Sequence, residues 1–235
     1  LLRASQAERV PHAEWSLDLI GVEEDAPLLV VANEFFDALP IRQFVRTAAG
    51  WRERMVGFAD GRFFAAAGPL PVDALIPPSL VAAPPGTIVE LAPAGGAIAA
   101  EIGPRLAAHG GAALIVDYGH AGPATGDTLQ AVKAHAFADP FADPGEADLT
   151  AHVDFSALRI AARPATAWGP ITQAALLAGL GIEARTATLS ARATPEQAAL
   201  LRSGTARLTG ADAMGSLFKA LALTGGDWPQ PAGFA

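Results

Sequence analysis

Apolar residues gather along this chain in short, uninterrupted runs. The clearest is Pro27 to Ala32 (PLLVVA), preceded by the acidic turn Glu23 to Asp25, and a second is Ala112 to Val116. Continuous rather than alternating apolarity suits a strand covered on both faces, as in a parallel α/β sheet. Ile88 to Leu91 is a further short run. Between the first two, Trp51 to Phe58 and Arg62 to Ala66 flank Ala59-Asp60-Gly61, where Asp-Gly signals a hairpin turn.

Helical spacing occupies other stretches. Ile98, Ile102 and Leu106 recur within Gly95 to His109, which Gly110-Gly111 should end and Gly103-Pro104 should kink or interrupt. Thr172 to Leu180 reads as a helix stopped by Gly179 and Gly181. Thr194 is placed as an N-cap, with Pro195 at the first helical position and Gln197 completing a capping box. A last helix is expected to carry Met214 to Lys219. Pro69 to Gly86 reads as a proline-rich connection and Asp139 to Gly145 as turn chemistry. Buried strands interleaved with helices predict an α/β fold with an inserted hairpin beside the sheet.

Composition narrows the chemistry. The 235 residues hold 24 acidic and 16 basic side chains, a formal net charge of −8, and no Cys. The acidic balance argues against non-specific nucleic-acid binding. The absence of Cys excludes disulfides, thiolate metal sites and Cys nucleophiles. The apolar runs are too short to span a bilayer. The chain starts Leu-Leu-Arg without Met, so it is expected to be the remainder of something longer.

Polar residues cluster where the predicted strands end. Asn33, Glu34 and Asp37 follow the first strand, at the edge where open α/β sheets bind ligands. If the chain turns helical there, the two carboxylates share a face. The alternative is an Asn33 cap on a helix with an ordinary acidic first turn. Asp117-Tyr118-Gly119-His120 follows the second strand, either as a site element or as a strand-ending turn with Gly119 at positive φ and Asp117 bonding local backbone. Asp148, His152 and Asp154 lack the further ligands a metal site needs, and Thr150 or Asp154 can cap a helix over Phe155 to Ala161. No phosphate-cradling glycine motif and no serine-nucleophile elbow is present.

ANEFFDALPIRQF (Ala32 to Phe44), ALIVDYGH (Ala113 to His120) and Gly145 to Phe155 resemble the MidA/NDUFAF seven family. So do WGPITQAALLAGLGIEAR (Trp168 to Arg185) and MGSLFKALAL (Met214 to Leu223), in the same order along the chain. The resemblance implies an S-adenosylmethionine-dependent protein arginine methyltransferase linked to respiratory complex I assembly. Its fold would be a Rossmann-like class I methyltransferase sheet, here N-terminally incomplete, with a substrate-side insertion around 45–86. The eukaryotic members are mitochondrial and dimethylate arginine symmetrically; a bacterial member would be cytoplasmic. A guanidinium substrate is gripped by carboxylates, which makes Glu34 and Asp37 the candidate catalytic pair, with Asn33 orienting methyl donor or substrate. Phe35, Phe36, Gln43, Asp117, Tyr118 and His120 would line the substrate side, while Trp15 and Ser16 would brush the cofactor.

The family's glycine-rich cofactor loop would lie before residue 1, and Leu1 to Val10 resembles the helix that follows its second strand. The chain alone is therefore expected neither to bind S-adenosyl-L-methionine tightly nor to turn over. No metal and no membrane span are expected, and an oligomer is compatible with the sequence. The competing readings are a non-catalytic assembly or binding module and a methyltransferase of small molecules.

Overall fold

The computed structural model describes residues 2–22 and 26–234, so the turn expected at Glu23 to Asp25 lies outside the described residues. Helix α1 (Leu2–Arg9) precedes strand β1 (Leu28–Asn33). Then come β2 (Arg42–Thr47), β3 (Gly50–Ala59), β4 (Arg62–Pro71), β5 (Ile88–Leu91), α2 (Pro93–His109) and β6 (Gly111–His120). The short strands β7 (Gln130–Lys133), β8 (Ala136–Ala138), β9 (Asp148–Thr150) and β10 (Val153–Asp154) lead into α3 (Phe155–Ala161). β11 (Thr166–Thr172), α4 (Gln173–Gly179), α5 (Ile182–Ser190), α6 (Pro195–Thr209), α7 (Met214–Leu217) and β12 (Phe218–Thr224) follow.

The main sheet has the order β1-β6-β12-β11, with β10 added alongside β6. β1 and β6 run parallel from Leu28↔Gly111 to Asn33↔Val116. Beyond that point β10 takes over the same edge, Val153 opposite Gly119 and Asp154 opposite His120. A Cβ on Gly119 would sit 2.1 Å from the Val153 carbonyl oxygen, so only glycine lets the two backbones meet. β12 is antiparallel to both β6 and β11. On one face Ile102, Leu106, Phe155 and Leu158 of the helices pack on Ile115 and Leu223. On the other, Leu176 and Phe234 cover Ala220 and Ala222.

Burial on both faces holds for β6 and β12 but not for β1. Leu28, Val30 and Ala32 pack on the core, whereas Leu29 is 72% exposed and Val31 80% exposed. β1 is the sheet's edge strand, and among the described residues no element covers its outer face.

A second, antiparallel sheet of order β4-β3-β2-β5 stands beside the first. Its hairpin turn places Asp60 (φ 50°) and Gly61 (φ 75°) in the left-handed region, as a tight two-residue loop requires. Phe44, Trp51, Ile76 and Val89 form its own small core. This sheet begins at Arg42 and ends at Leu91, just outside the stretch 45–86 singled out in the sequence.

Three local expectations are corrected. α2 continues through Gly103-Pro104, because Pro104 removes one helical N–H while Ala99, Ile102 and Leu106 stay packed in the core. Asp117 to His120 lie inside β6 rather than in a turn beyond it, and Gly119 is not at positive φ. The last helix is a single turn, Met214–Leu217, and Phe218 onward is the almost wholly buried strand β12. Pairing on both sides overrides the helical preference of its Ala and Leu residues.

Candidate functional site

No helix follows β1, so Asn33 is not a helix cap and Glu34 and Asp37 do not share a helical face. The chain instead makes a tight turn in which Glu34 adopts φ 49°. Its N–H donates to the Val116 carbonyl at 3.0 Å, carrying the parallel ladder one residue past β1. The next three N–H groups, of Phe35, Phe36 and Asp37, all donate to Oδ2 of Asp117 at 3.2, 3.0 and 3.2 Å. The other oxygen accepts the Tyr118 N–H at 2.9 Å. Successive backbone N–H groups converging on one point form an anion nest, here filled by a carboxylate 0% exposed to solvent. Burial first, and then the negative charge of Asp37, push the Asp117 carboxyl up to about 6.

The two acidic residues of the turn face different surroundings. Asp37 is 6% exposed. One of its oxygens accepts the Tyr118 hydroxyl at 2.6 Å, and the other, Oδ1, is buried with no hydrogen bond. Burial, followed by donation to Asp37, raises the Tyr118 phenol above its usual range. Tyr118 packs edge-on against His152 and Phe218, both at 5.5 Å. Burial, and then the His120 charge, lower the His152 imidazole, while the Nδ1 of His120 contacts the Gly122 carbonyl.

Glu34 is exposed, accepts from the Asn33 amide at 3.3 Å and borders an open cleft of about 620 Å³ beside β1. Val30 and Ile98 give this cleft apolar walls, and Asp18, Glu34 and Glu101 give it carboxylates. Ser16 lies in the same wall, placed there because Arg105 of α2 donates to the Leu19 and Val22 carbonyls at 2.7 and 2.9 Å. Trp15 is engaged elsewhere: its indole N–H donates to Gln6 at 3.1 Å, and Arg3 stacks over its ring. Residues 10–22 form turns and bends with no strand. Phe35 and Phe36 reach the cleft, meeting each other edge-to-face.

Gln43 is nearly buried and its side chain is fully used. Its amide donates to Glu90 at 2.6 Å and Asp127 at 2.8 Å, while its carbonyl accepts from Arg54 at 2.9 Å. Arg54 also bonds Asp127 at 2.6 Å. Glu90 accepts the N–H groups of Thr128 and Leu129, and the Thr128 hydroxyl accepts the His152 N–H at 2.9 Å. The network locks the second sheet to the segment carrying His152. Sequence reading missed Glu90, Asp127, Arg54 and Thr128, which lie tens of residues apart and form no local motif. Among the described residues, no His, Asp and Glu cluster could hold a metal ion. No helix among them is long and apolar enough to cross a membrane.

Residues 1–171 match the family described as "Putative S-adenosyl-L-methionine-dependent methyltransferase". The chain belongs to this family. It is 39% identical over 216 residues to the mouse protein arginine methyltransferase NDUFAF7, mitochondrial, covering 89% of this chain and 48% of that one. The Drosophila melanogaster homologue is 37% identical over 239 residues, 92% of this chain and 53% of that one. The chain thus spans about half the length of these curated relatives. A Burkholderia thailandensis structure bound to S-adenosyl-homocysteine superposes with a TM-score of 0.81 at 28% identity, covering 99% of this chain and 62% of that one. The fold is accordingly that of a Rossmann-like methyltransferase, in a family whose cofactor is S-adenosyl-L-methionine. The cleft beside β1 fits this cofactor chemically, since apolar walls suit a purine and nearby carboxylates suit a sulfonium cation.

Proposed function

We propose that this chain carries the substrate-facing part of an S-adenosyl-L-methionine-dependent protein arginine methyltransferase that supports respiratory complex I assembly or a bacterial equivalent. The observation that carries the reading is the turn after β1. It holds one carboxylate, Glu34, at the cleft and a second, Asp37, oriented by Tyr118 with one oxygen free of hydrogen bonds. S-adenosyl-L-methionine supplies the methyl group as an electrophile when bound. Asn33 and Ser16 would meet it at the cleft, with Phe35 and Phe36 closing the turn side. Methyl transfer needs little proton chemistry from the protein, so alignment and electrostatics carry the rate.

A guanidinium is planar and presents donors that two carboxylates can grip. Glu34 would take it at the cleft. Asp37 Oδ1 is the open acceptor a further guanidinium N–H would fill; because it is buried, that contact requires the turn to rearrange. Tyr118, His120 and His152, with the second sheet tied on through Gln43, would border the incoming polypeptide. Symmetric dimethylation of the arginine belongs to the same proposal.

The test is labelled methyl incorporation into protein by the full-length gene product. Glu34→Ala is expected to reduce incorporation by about a hundredfold or more, and Asp37→Ala by a similar factor, with far-ultraviolet dichroism unchanged. Full incorporation by both variants would remove these carboxylates from the site. A wild-type protein giving neither heat nor thermal shift with S-adenosyl-L-methionine would favour a non-catalytic assembly module.

A further inference from the structure

The sequence grouped Asp117 with residues that touch substrate, yet it is wholly buried and all its acceptance is spent on backbone. We propose that Asp117 is instead the positioning residue of the site, its ionised carboxylate holding the 34–37 turn so that Glu34 reaches the cleft and Asp37 meets Tyr118. This rests on the methyltransferase reading for its consequence, not for its geometry.

The turn has little else to hold it. Glu34 sits in the left-handed region, which costs a non-glycine residue on the order of 1 kcal/mol. The turn has no regular secondary structure. Besides its three bonds to Asp117, its backbone ties are Glu34 to Val116, Leu39 to Phe36 and Ala151 to the Asp37 carbonyl. Three consecutive N–H groups aimed at one oxygen demand an acceptor with full negative charge. A protonated carboxyl would bring a fourth donor among them, and a neutral side chain would leave them unpaired in the interior. Asp117 stands at the end of the core face of β6, following Ala113 and Ile115, so it is anchored by the sheet rather than by the turn it holds.

The ionisable groups around it are Asp37 and Glu34 on the turn, Tyr118 beside it in β6 and Lys219, its register partner on β12. Asp37 opposes the ionisation of Asp117 and accepts the Tyr118 hydroxyl. The Lys219 ammonium donates to the Ser216 and Leu217 carbonyls. On the far side of the strand end are Asp154, which caps α3, and the imidazoles of His120 and His152.

The experiment is a pH series of amide spectra on the full-length gene product. The Phe35, Phe36 and Asp37 amide protons are expected to titrate together with a midpoint near about 6, lying further downfield on the alkaline side where Asp117 is charged. The ring protons of His120 and His152 are followed in the same spectra to separate their titration. In Asp117→Asn the shared step should vanish while the histidine curves persist. Amides that do not titrate, or that titrate unchanged in the variant, would overturn the proposal. If Asp117→Asn does not fold, exchange protection of the wild-type amides decides instead: it should fall together below the same midpoint, and protection independent of pH would count against the proposal.

In the full-length enzyme, Asp117→Asn should lower methyl incorporation by about tenfold and flatten the acidic limb of the pH–rate profile. An equal loss at every pH would mark Asp117 as merely structural. Should Glu34→Ala prove fully active, the methyltransferase reading of the turn fails, and the amide titration still decides the role of Asp117.

Discussion

Asp117 and Asp154 solve the same problem at neighbouring places in one sheet. Each sits near the carboxyl end of a strand and accepts successive backbone N–H groups. Asp154 does so within its own segment: its Oδ1 takes the Ser156 and Ala157 N–H groups at 2.9 and 3.1 Å and the Ser156 hydroxyl at 2.6 Å, beginning α3. Asp117 reaches eighty residues back along the chain to collect three N–H groups of a turn, and adds a fourth from its own neighbour. One is a helix cap that solvent can partly replace, whereas the other is an interior charge that nothing else in the structure can replace. Capping skill is thus used once to start a helix and once to shape a functional loop.

The largest effect expected from breaking this pair is at Asp117. Asp117→Ala strands several interior N–H groups and should cost about 3 kcal/mol, read as a lower urea midpoint with little change in slope. Relief from burying a charge offsets part of the loss, which keeps the figure below the sum of four separate hydrogen bonds. Asp117→Asn keeps an acceptor oxygen and should fall between wild type and Ala.

At Asp154 the same substitution should cost about 1.2 kcal/mol, within the range of lost N-caps. Its cap remains half-exposed, so water can satisfy the freed donors. A loss at Asp154 as large as that at Asp117 would mean that burial does not separate the two, and the comparison would fail.

The same contrast decides what could be read from the sequence. Asp154, as one of two candidate caps of α3, and the capping box at Thr194 were visible, because partners two or three residues apart leave a local signature; the helix at Thr172 was visible too, though not its cap. So were the strands at Pro27 and Ala112, displaced by about a residue at each start, and the Asp60-Gly61 hairpin. β11 and β12 were missed because tertiary pairing, not local preference, makes them strands. At the turn after β1, residues 33–37 stood out in the sequence as one polar group, but how that group divides did not. Nothing in the sequence tells that Glu34 faces a cleft while Asp37 turns inward, since that depends on where Asp117 and Tyr118 arrive from β6. Gln43 was assigned to the substrate side by resemblance alone, and its bonds to Glu90 and Asp127 could not be read locally because only the fold brings those segments together.

Thr194 gives the smallest and sharpest member of the series. Its hydroxyl accepts one backbone N–H, from Gln197 at 3.3 Å, and Gln197 answers by accepting the Thr194 N–H at 3.0 Å. Both groups are exposed, so water competes for each. Thr194→Ala should cost about 1 kcal/mol and fray only the first turn of α6. Exchange protection should fall there and nowhere near the 34–37 turn, because among the described residues no hydrogen bond links the two regions. The series then runs from four N–H groups at Asp117 through two at Asp154 to one at Thr194, with burial decreasing in the same order. If stability losses followed the number of N–H groups alone, Thr194→Ala would cost about half of Asp154→Ala. If burial governs, Asp154 and Thr194 should lie close together and Asp117 stand apart. Exposed caps differ little in how easily water replaces them, so the second pattern is expected, and paired urea titrations of the three Ala variants distinguish it from the first.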